Sequence, residues 1–186
     1  MGLELYLAHP FDSRKTVRRW ELKFEKSTGI SLINPFFDSP SQGEKIHKDD
    51  FSNERYYKTL NNKIIVNHDI KLISRPETYG ILAIVNGNTS YGTIQEMVYA
   101  KNAGKEVFSV VSNGHQNHPW LKYHSDKIFR CLGDFQKWIA PDCNYCDGTM
   151  KLAGRNKKMG FDMYFCDWCD KSWMTIDKDK EDGGEK

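Results

Sequence analysis

Two runs in the middle of the chain, "ILAIV" at residues 81–85 and "VFSVV" at 107–111, are almost wholly apolar and do not alternate. A strand with one wet face alternates apolar and polar side chains, whereas a strand covered on both faces does not. Between the runs lies a helix-like stretch closed by Gly104, long enough for a crossover and too long for a hairpin. The pair therefore calls for parallel strands with helices packed on both sides.

The rest of the chain extends that pattern. "LELYLA" (3–8) and "ISLIN" (30–34) read as two earlier strands, and "DKIFRCL" (126–132) as a later one. Ser13 is placed to cap a helix running to Thr28, with Val17, Trp20 and Phe24 on one face, Arg14, Lys15, Arg18 and Lys23 largely elsewhere, and Gly29 closing it. Residues 53–75 are largely helical, and Ile65, Asp69 and Leu72 share a face, which points Asp69 toward the sheet. Residues 36–52 form a long polar loop of the kind that serves as a lid or binding segment. A last helix, "DFQKWIA", precedes Pro141. The implied fold is α/β: a doubly wound, flavodoxin-like, five-stranded parallel sheet, with ligands expected beyond the carboxyl ends of the strands.

Composition narrows the function class. The 186 residues carry a net charge of +2, with 39% hydrophobic and 28% charged residues, so neither nucleic acid nor membrane is demanded. No apolar run approaches a membrane span, and "MGLELYLAHP" has neither a signal-peptide core nor a myristoylation pattern; the expectation is a cytoplasmic protein. The first strand runs into Ala8, His9 and Pro10, not into a glycine-rich dinucleotide turn, and no phosphate-binding G-x-x-x-x-G-K-[ST] occurs. No organic cofactor is expected.

Four of the five cysteines crowd the last quarter as Cys143, Cys146, Cys166 and Cys169, two C-x2-C pairs separated by 19 residues. Each pair places two thiolates on one ion, and two pairs complete a tetrahedral site with no open position, so a structural Zn2+ in a small ribbon is expected. A redox role for one pair is the weaker alternative. Cys131 reads as a small buried hydrophobe. This divides the chain into an α/β domain at 1–140, a zinc ribbon at 141–176 and a polar, disordered tail at 177–186. Trp168, Trp173, Arg155, Lys157 and Lys158 leave nucleic acid or protein docking through the ribbon open, although residues 141–186 hold eight Lys/Arg against ten Asp/Glu.

The turn "NGNTSYGT" leads from the apolar run into a helix, and a helix N-terminus suits an anion such as phosphate, with Ser90 and Thr93 adding hydroxyl donors. Glu96 falls in the expected first turn. It fits a T-x-x-E capping box with Thr93, and it equally fits an ionised nucleophile for an electrophilic sugar carbon. The residues alone leave both readings standing.

The succession Asp69, "ILAIV", "SYGTIQE" and "AGKEV", together with "LYLAHPF" at the start, resembles the nucleoside 2-deoxyribosyltransferase family and its nucleotide N-hydrolase relatives over about residues 3–132. The resemblance implies that Glu96 is the nucleophile forming a glycosyl–Glu96 ester, that Asp69 manages protons, that Tyr6 flanks the sugar and that Gly92 permits close backbone approach. It implies an enzyme that exchanges or cleaves the N-glycosidic bond of a (deoxy)nucleoside or its 5′-monophosphate, working as a homodimer or higher homo-oligomer. Ser90 departs from the transferase pattern, which has Asp there, and matches the monophosphate hydrolases. His9 is a further candidate for the site, and Asn113, His115, Asn117 and Trp120 for base recognition, with His115 and His118 equally readable as exposed loop histidines. His47, His68 and His124 receive no role. The competing class is a non-catalytic nucleotide-sensing or nucleic-acid-tethered module.

Overall fold

The computed structural model describes residues 3–38, 62–87, 91–112 and 114–176. Contacts divide the chain into two compact units, Met1–Leu132 and Gly133–Lys186.

In the first unit the apolar runs become strands: β1 (Glu4–Ala8), β2 (Ser31–Ile33), β3 (Thr78–Val85), β4 (Glu106–Val111) and β5 (Lys127–Phe129). They form one sheet in the order β2-β1-β3-β4-β5, parallel throughout, as the missing alternation requires. The order reverses between β1 and β3, which opens a crevice beyond their carboxyl ends. β3 and β4 approach closely at Gly80, where a Cβ would stand 2.4 Å from the carbonyl oxygen of Glu106. Only glycine fits there.

The helices are α1 (Arg14–Thr28), α2 (Asn62–Ile73), α3 (Tyr91–Asn102) and α4 (Pro119–His124). Right-handed crossovers put α1 on one face of the sheet and α2, α3 and α4 on the other, because β1 to β2 steps one way and β2 to β3, β3 to β4 and β4 to β5 step the opposite way. A single apolar cluster covers that second face: Tyr6, Ala8, Ile81, Ala83, Val85, Val107 and Val111 from the strands meet Leu72, Ile73, Met97, Ala100 and Leu121 from the helices. Every second residue of β1 faces this layer, so Tyr6 lies beneath α2 and α3. No described helix is long and apolar enough to cross a membrane.

Several local expectations change. Ser13 precedes α1 but makes no side-chain cap; a short 3-10 turn, Phe11–Ser13, leads in, and the Ser13 hydroxyl accepts a hydrogen bond from Asn86 Nδ2 at 3.0 Å. Gly29 and Gly104 do close α1 and α3, at φ 67° and 72°. Arg18, expected on the wet side of α1, is buried with Glu21, because the two form an ion pair one turn apart and Asn34 Nδ2 donates to the free Glu21 oxygen at 2.7 Å. Cys131 is exposed, since β5 ends at Phe129 before reaching it. Immediately after His118, Pro119 and Trp120 open α4, with Pro119 at its first position. Of the loop expected at 36–52, residues 39–52 lie outside the described residues, as do the part of the expected helix before Asn62 and the tail.

The second unit contains α5 (Leu132–Ile139) and an antiparallel sheet of β6 (Met150–Asn156), β7 (Phe161–Cys166) and β8 (Ser172–Ile176). The sequence reading assigned this helix to the α/β domain; its side chains explain why contacts group it with the ribbon. Trp138 Nε1 donates to Asp162 Oδ2 at 3.1 Å, Arg155 Nε donates to Asp162 Oδ1 at 2.7 Å, and the Arg155 guanidinium lies over the Trp138 ring. Met150, Leu152, Tyr164 and Cys166 complete a small core.

Candidate active site and metal centre

Three elements bring three side chains together. Tyr6 enters from β1, Asp69 from α2 and Glu96 from α3. The Tyr6 hydroxyl donates to Glu96 Oε1 at 2.7 Å and also hydrogen-bonds Asp69. Tyr6 is fully buried, so an aromatic ring that fills the core carries a hydroxyl to the carboxylates without exposing itself.

Glu96 does not sit where the sequence placed it. α3 begins at Tyr91, two residues before Thr93, so Glu96 belongs to the second turn and Thr93 is a buried helical residue. The capping box does not form, and no helix-end field acts on Glu96 to keep it ionised. Burial raises its pKa from 4.5 to about 7, the Tyr6 hydrogen bond works against that rise, and the neighbouring Asp69 adds to it. Asp69 rises from 3.8 to about 7, again chiefly through burial and again opposed by Tyr6. Two carboxyls with such values side by side titrate as a pair, and near neutrality the pair retains a proton.

His68, beside Asp69 on α2, had no role in the sequence reading. Its Nδ1 lies 3.7 Å from Asp69 Oδ1. Adjacency to Asp69 was the only signal that could have drawn attention to it.

His9 joins a different cluster. It is buried; Nδ1 is 3.1 Å from the Pro10 carbonyl and Nε2 is 3.4 Å from Asn34 Oδ1, which ties it to Glu21 and Arg18. Burial lowers its pKa to about 4, so it stays neutral. No hydrogen bond joins His9 to Tyr6, Asp69 or Glu96. Gly92 is exposed in the first turn of α3. Ser90 and Asn113 lie outside the described residues.

On the other flank of α3 there is an open cavity of about 430 Å³ lined by Val85, Asn86, Tyr91, Ile94, His115 and Trp120 among others. His118 also lines it, whereas Asn117 does not; neither Tyr6, Asp69 nor Glu96 reaches it. His115 and Trp120, read as base-recognising, therefore line a cavity to which the carboxyl pair does not contribute.

In the second unit the four cysteine sulfurs lie within 4.8 Å of one another. Cys143 and Cys169 Sγ are 3.7 Å apart, and Cys146 and Cys166 Sγ 3.6 Å. A tetrahedron with metal–sulfur bonds of about 2.3 Å has edges near 3.8 Å, so the spacing fits one ion. The backbone N–H groups of Tyr145 and Gly148 donate to Cys143 and Cys146 Sγ, each at 3.4 Å, and those of Trp168 and Lys171 serve Cys166 and Cys169. Every sulfur thus receives a donor from two residues downstream; the Cys166 thiol is lowered to about 7, whereas desolvation and the neighbouring sulfurs push Cys146 and Cys169 up. Gly148 suits this packing, because a Cβ there would stand 3.0 Å from Trp168 Cγ and 3.2 Å from Cys146 Sγ, tight enough that the neighbours would have to shift. The four residues can hold a metal and leave it no open position.

No protein-family model matches the chain, and no curated protein matches it either. Solved structures similar to it include a CMP N-glycosidase of Clostridium botulinum, with a TM-score of 0.47 and 15% identity, covering 73% of this chain and 96% of that one. A 2-deoxyribosyltransferase from Bacillus psychrosaccharolyticus gives 0.47 and 16%, covering 72% and 90%. A conserved protein from Enterococcus faecalis V583 gives 0.51 and 12%, covering 74% and 96%. At such identities the likeness is one of fold, and it is the E. faecalis structure that supports the doubly wound α/β architecture of this chain.

Proposed function

We propose that the chain is an enzyme that cleaves or exchanges the N-glycosidic bond of a nucleoside or nucleotide through Glu96. One observation carries the reading: the hydroxyl of the buried Tyr6 joins two half-buried carboxyls, donating to Glu96 at 2.7 Å. A structural role for the trio is a poor explanation, because burying two carboxyls side by side costs stability.

On this reading the two acids have different tasks. Tyr6 donates directly to Glu96, and Asp69 Oδ1 has no hydrogen-bond partner among the described residues, so the single negative charge rests on Glu96 and the proton on Asp69. Glu96 then attacks the anomeric carbon; the glycosidic electron pair leaves with the base, whose nitrogen takes the proton from Asp69. The ester is resolved by water, which returns a proton to Asp69, or by a second base. Both carboxyls titrate near pH 7, so the rate should fall on either side of neutrality.

The metal in the ribbon is proposed to be structural Zn2+, since four thiolates with tetrahedral spacing suit it. The test of the enzymatic reading is release of free base from a panel of nucleosides and 5′-monophosphates, with and without a second base, beside Glu96→Ala. Base release lost in the variant supports it; exchange that needs the second base makes it a transferase; no turnover on any substrate refutes it.

A further inference from the structure

Beside the carboxyl pair, α2 carries two polar atoms with nothing to bond. His68 Nε2 and Asp69 Oδ1 are both closed off from solvent, and neither has a hydrogen-bond partner among the described residues. Between them, His68 Nδ1 and Asp69 Oδ1 stand 3.7 Å apart, too far for a hydrogen bond and close enough that a small side-chain rotation makes one. Buried polar atoms are nearly always paired, so two orphans side by side mark a contact that forms in another state of the site.

We propose that His68 is a positioning residue for Asp69: its Nδ1–H closes onto Oδ1 when Asp69 gives up its proton, which holds the carboxylate in place and leaves Nε2 as an acceptor for a ligand donor. The inference rests on the enzymatic reading above, in which Asp69 alternates between acid and carboxylate. Four side chains then form one hydrogen-bonded series, His68–Asp69–Tyr6–Glu96, spanning α2, β1 and α3.

The charges around His68 agree with this assignment. Asp69 and Lys71 lie with it on α2, Tyr6 faces the pair from β1 and Glu96 from α3, while β3 presents the apolar Ile81, Ala83 and Val85 and the uncharged Thr78, whose hydroxyl donates to the Leu72 carbonyl. Burial, reinforced by Lys71, lowers the His68 pKa, so the ring is neutral and owns a single N–H. If that proton sits on Nδ1, it faces the carboxyl and Nε2 must accept; if it sits on Nε2, two lone pairs face each other across 3.7 Å. Because neutral His68 donates only to the charged form of Asp69, it lowers the Asp69 pKa and opposes the rise that burial imposes.

The experiment compares His68→Phe and His68→Asn with the wild type by rate–pH profiles of base release, and reads the His68 tautomer in the wild type and in Asp69→Asn from imidazole 15N shifts. His68→Phe should lower kcat at pH 7 about ten- to hundredfold, the loss of one hydrogen bond to a charged group, with KM changed far less. The limb set by Asp69 should move to higher pH, and His68→Asn, which keeps a donor, should restore part of both. Wild-type kcat and an unmoved limb in His68→Phe overturn the proposal while leaving the enzymatic reading intact. If the wild type turns over no substrate, that reading falls and the tautomer still decides: an Nδ1–H ring whose shifts change in Asp69→Asn supports the pairing, and an Nε2–H ring refutes it.

Discussion

Replacing Glu96 by Gln should make the protein more stable at alkaline pH, even as it removes the proposed nucleophile. Gln keeps the side-chain volume and an acceptor for the Tyr6 hydroxyl, which donates to Oε1 at 2.7 Å. What it removes is a charge that burial resists: the Glu96 carboxyl titrates at about 7 in the fold against an ordinary 4.5. The unfolded chain loses this proton near pH 4.5 and the folded chain near pH 7, so between those values the folded state holds more protons. Stability therefore falls as pH rises through that window and is level above it. Each tenfold difference in proton affinity is worth 1.36 kcal/mol, so the gap sets a ceiling of about 3 kcal/mol on what the variant gains. Removing the charge also lets Asp69 ionise more easily, because the two repel each other. Glu21, raised to about 7 by burial, titrates in the same range but is present in both proteins and cancels in the difference. Denaturant titrations at pH 5 and pH 8 measure the effect, read by exchange of the β1 and β3 amides so that the cysteine-bearing ribbon does not contribute. The variant should gain little at pH 5 and up to about 3 kcal/mol at pH 8. A variant less stable than wild type at pH 8, or an equal difference at both pH values, would show that Glu96 is not held against its own charge.

Three other perturbations test separate parts of the molecule. Tyr6→Phe keeps the buried ring and removes the hydroxyl; base release should fall about ten- to hundredfold with the fold retained, and both carboxyls should titrate at higher pH, as their rate–pH profile will show. Gly80→Ala places a methyl 2.4 Å from the Glu106 carbonyl oxygen and should cost about 1–3 kcal/mol in denaturant unfolding, because the obstacle is backbone and cannot rotate away. Cys166→Ser should abolish binding of one metal ion per chain, measured by elemental analysis, and with it the protection of the β6–β7 amides against exchange, since a sheet this small depends on its ion.

The parallel sheet was legible before any coordinates because it follows from local rules. Runs with no alternation cannot face water, parallel strands need crossovers, and glycines that accept positive φ mark where helices end; β4 at Glu106–Val111 and the closing residues Gly29 and Gly104 all obey them. The four cysteines were legible for the same reason, since ligand spacing is itself a local property. Two elements escaped. α4 is six residues long and hidden in a polar turn, and β8 shows four exposed residues of five, so neither carries a periodic apolar pattern.

What the sequence determined by itself was which segments must be strands or helices and which cysteines could share an ion, for these depend on neighbours in the chain. Asp69 and Glu96 could be picked out from their motif, but their protonation could not, and there the local argument gave the wrong sign. A helix read as starting at Thr93 placed Glu96 in a field that keeps it ionised; the helix starts at Tyr91, Glu96 is half-buried in a desolvating environment, and its pKa rises. His9 and His68 changed places for the same reason, one drawn into the Asn34–Glu21 cluster and the other set beside an unpaired carboxyl oxygen. Burial and the distance between side chains on different elements decide the charge on an acid, and both exist only once β1, α2 and α3 have packed together.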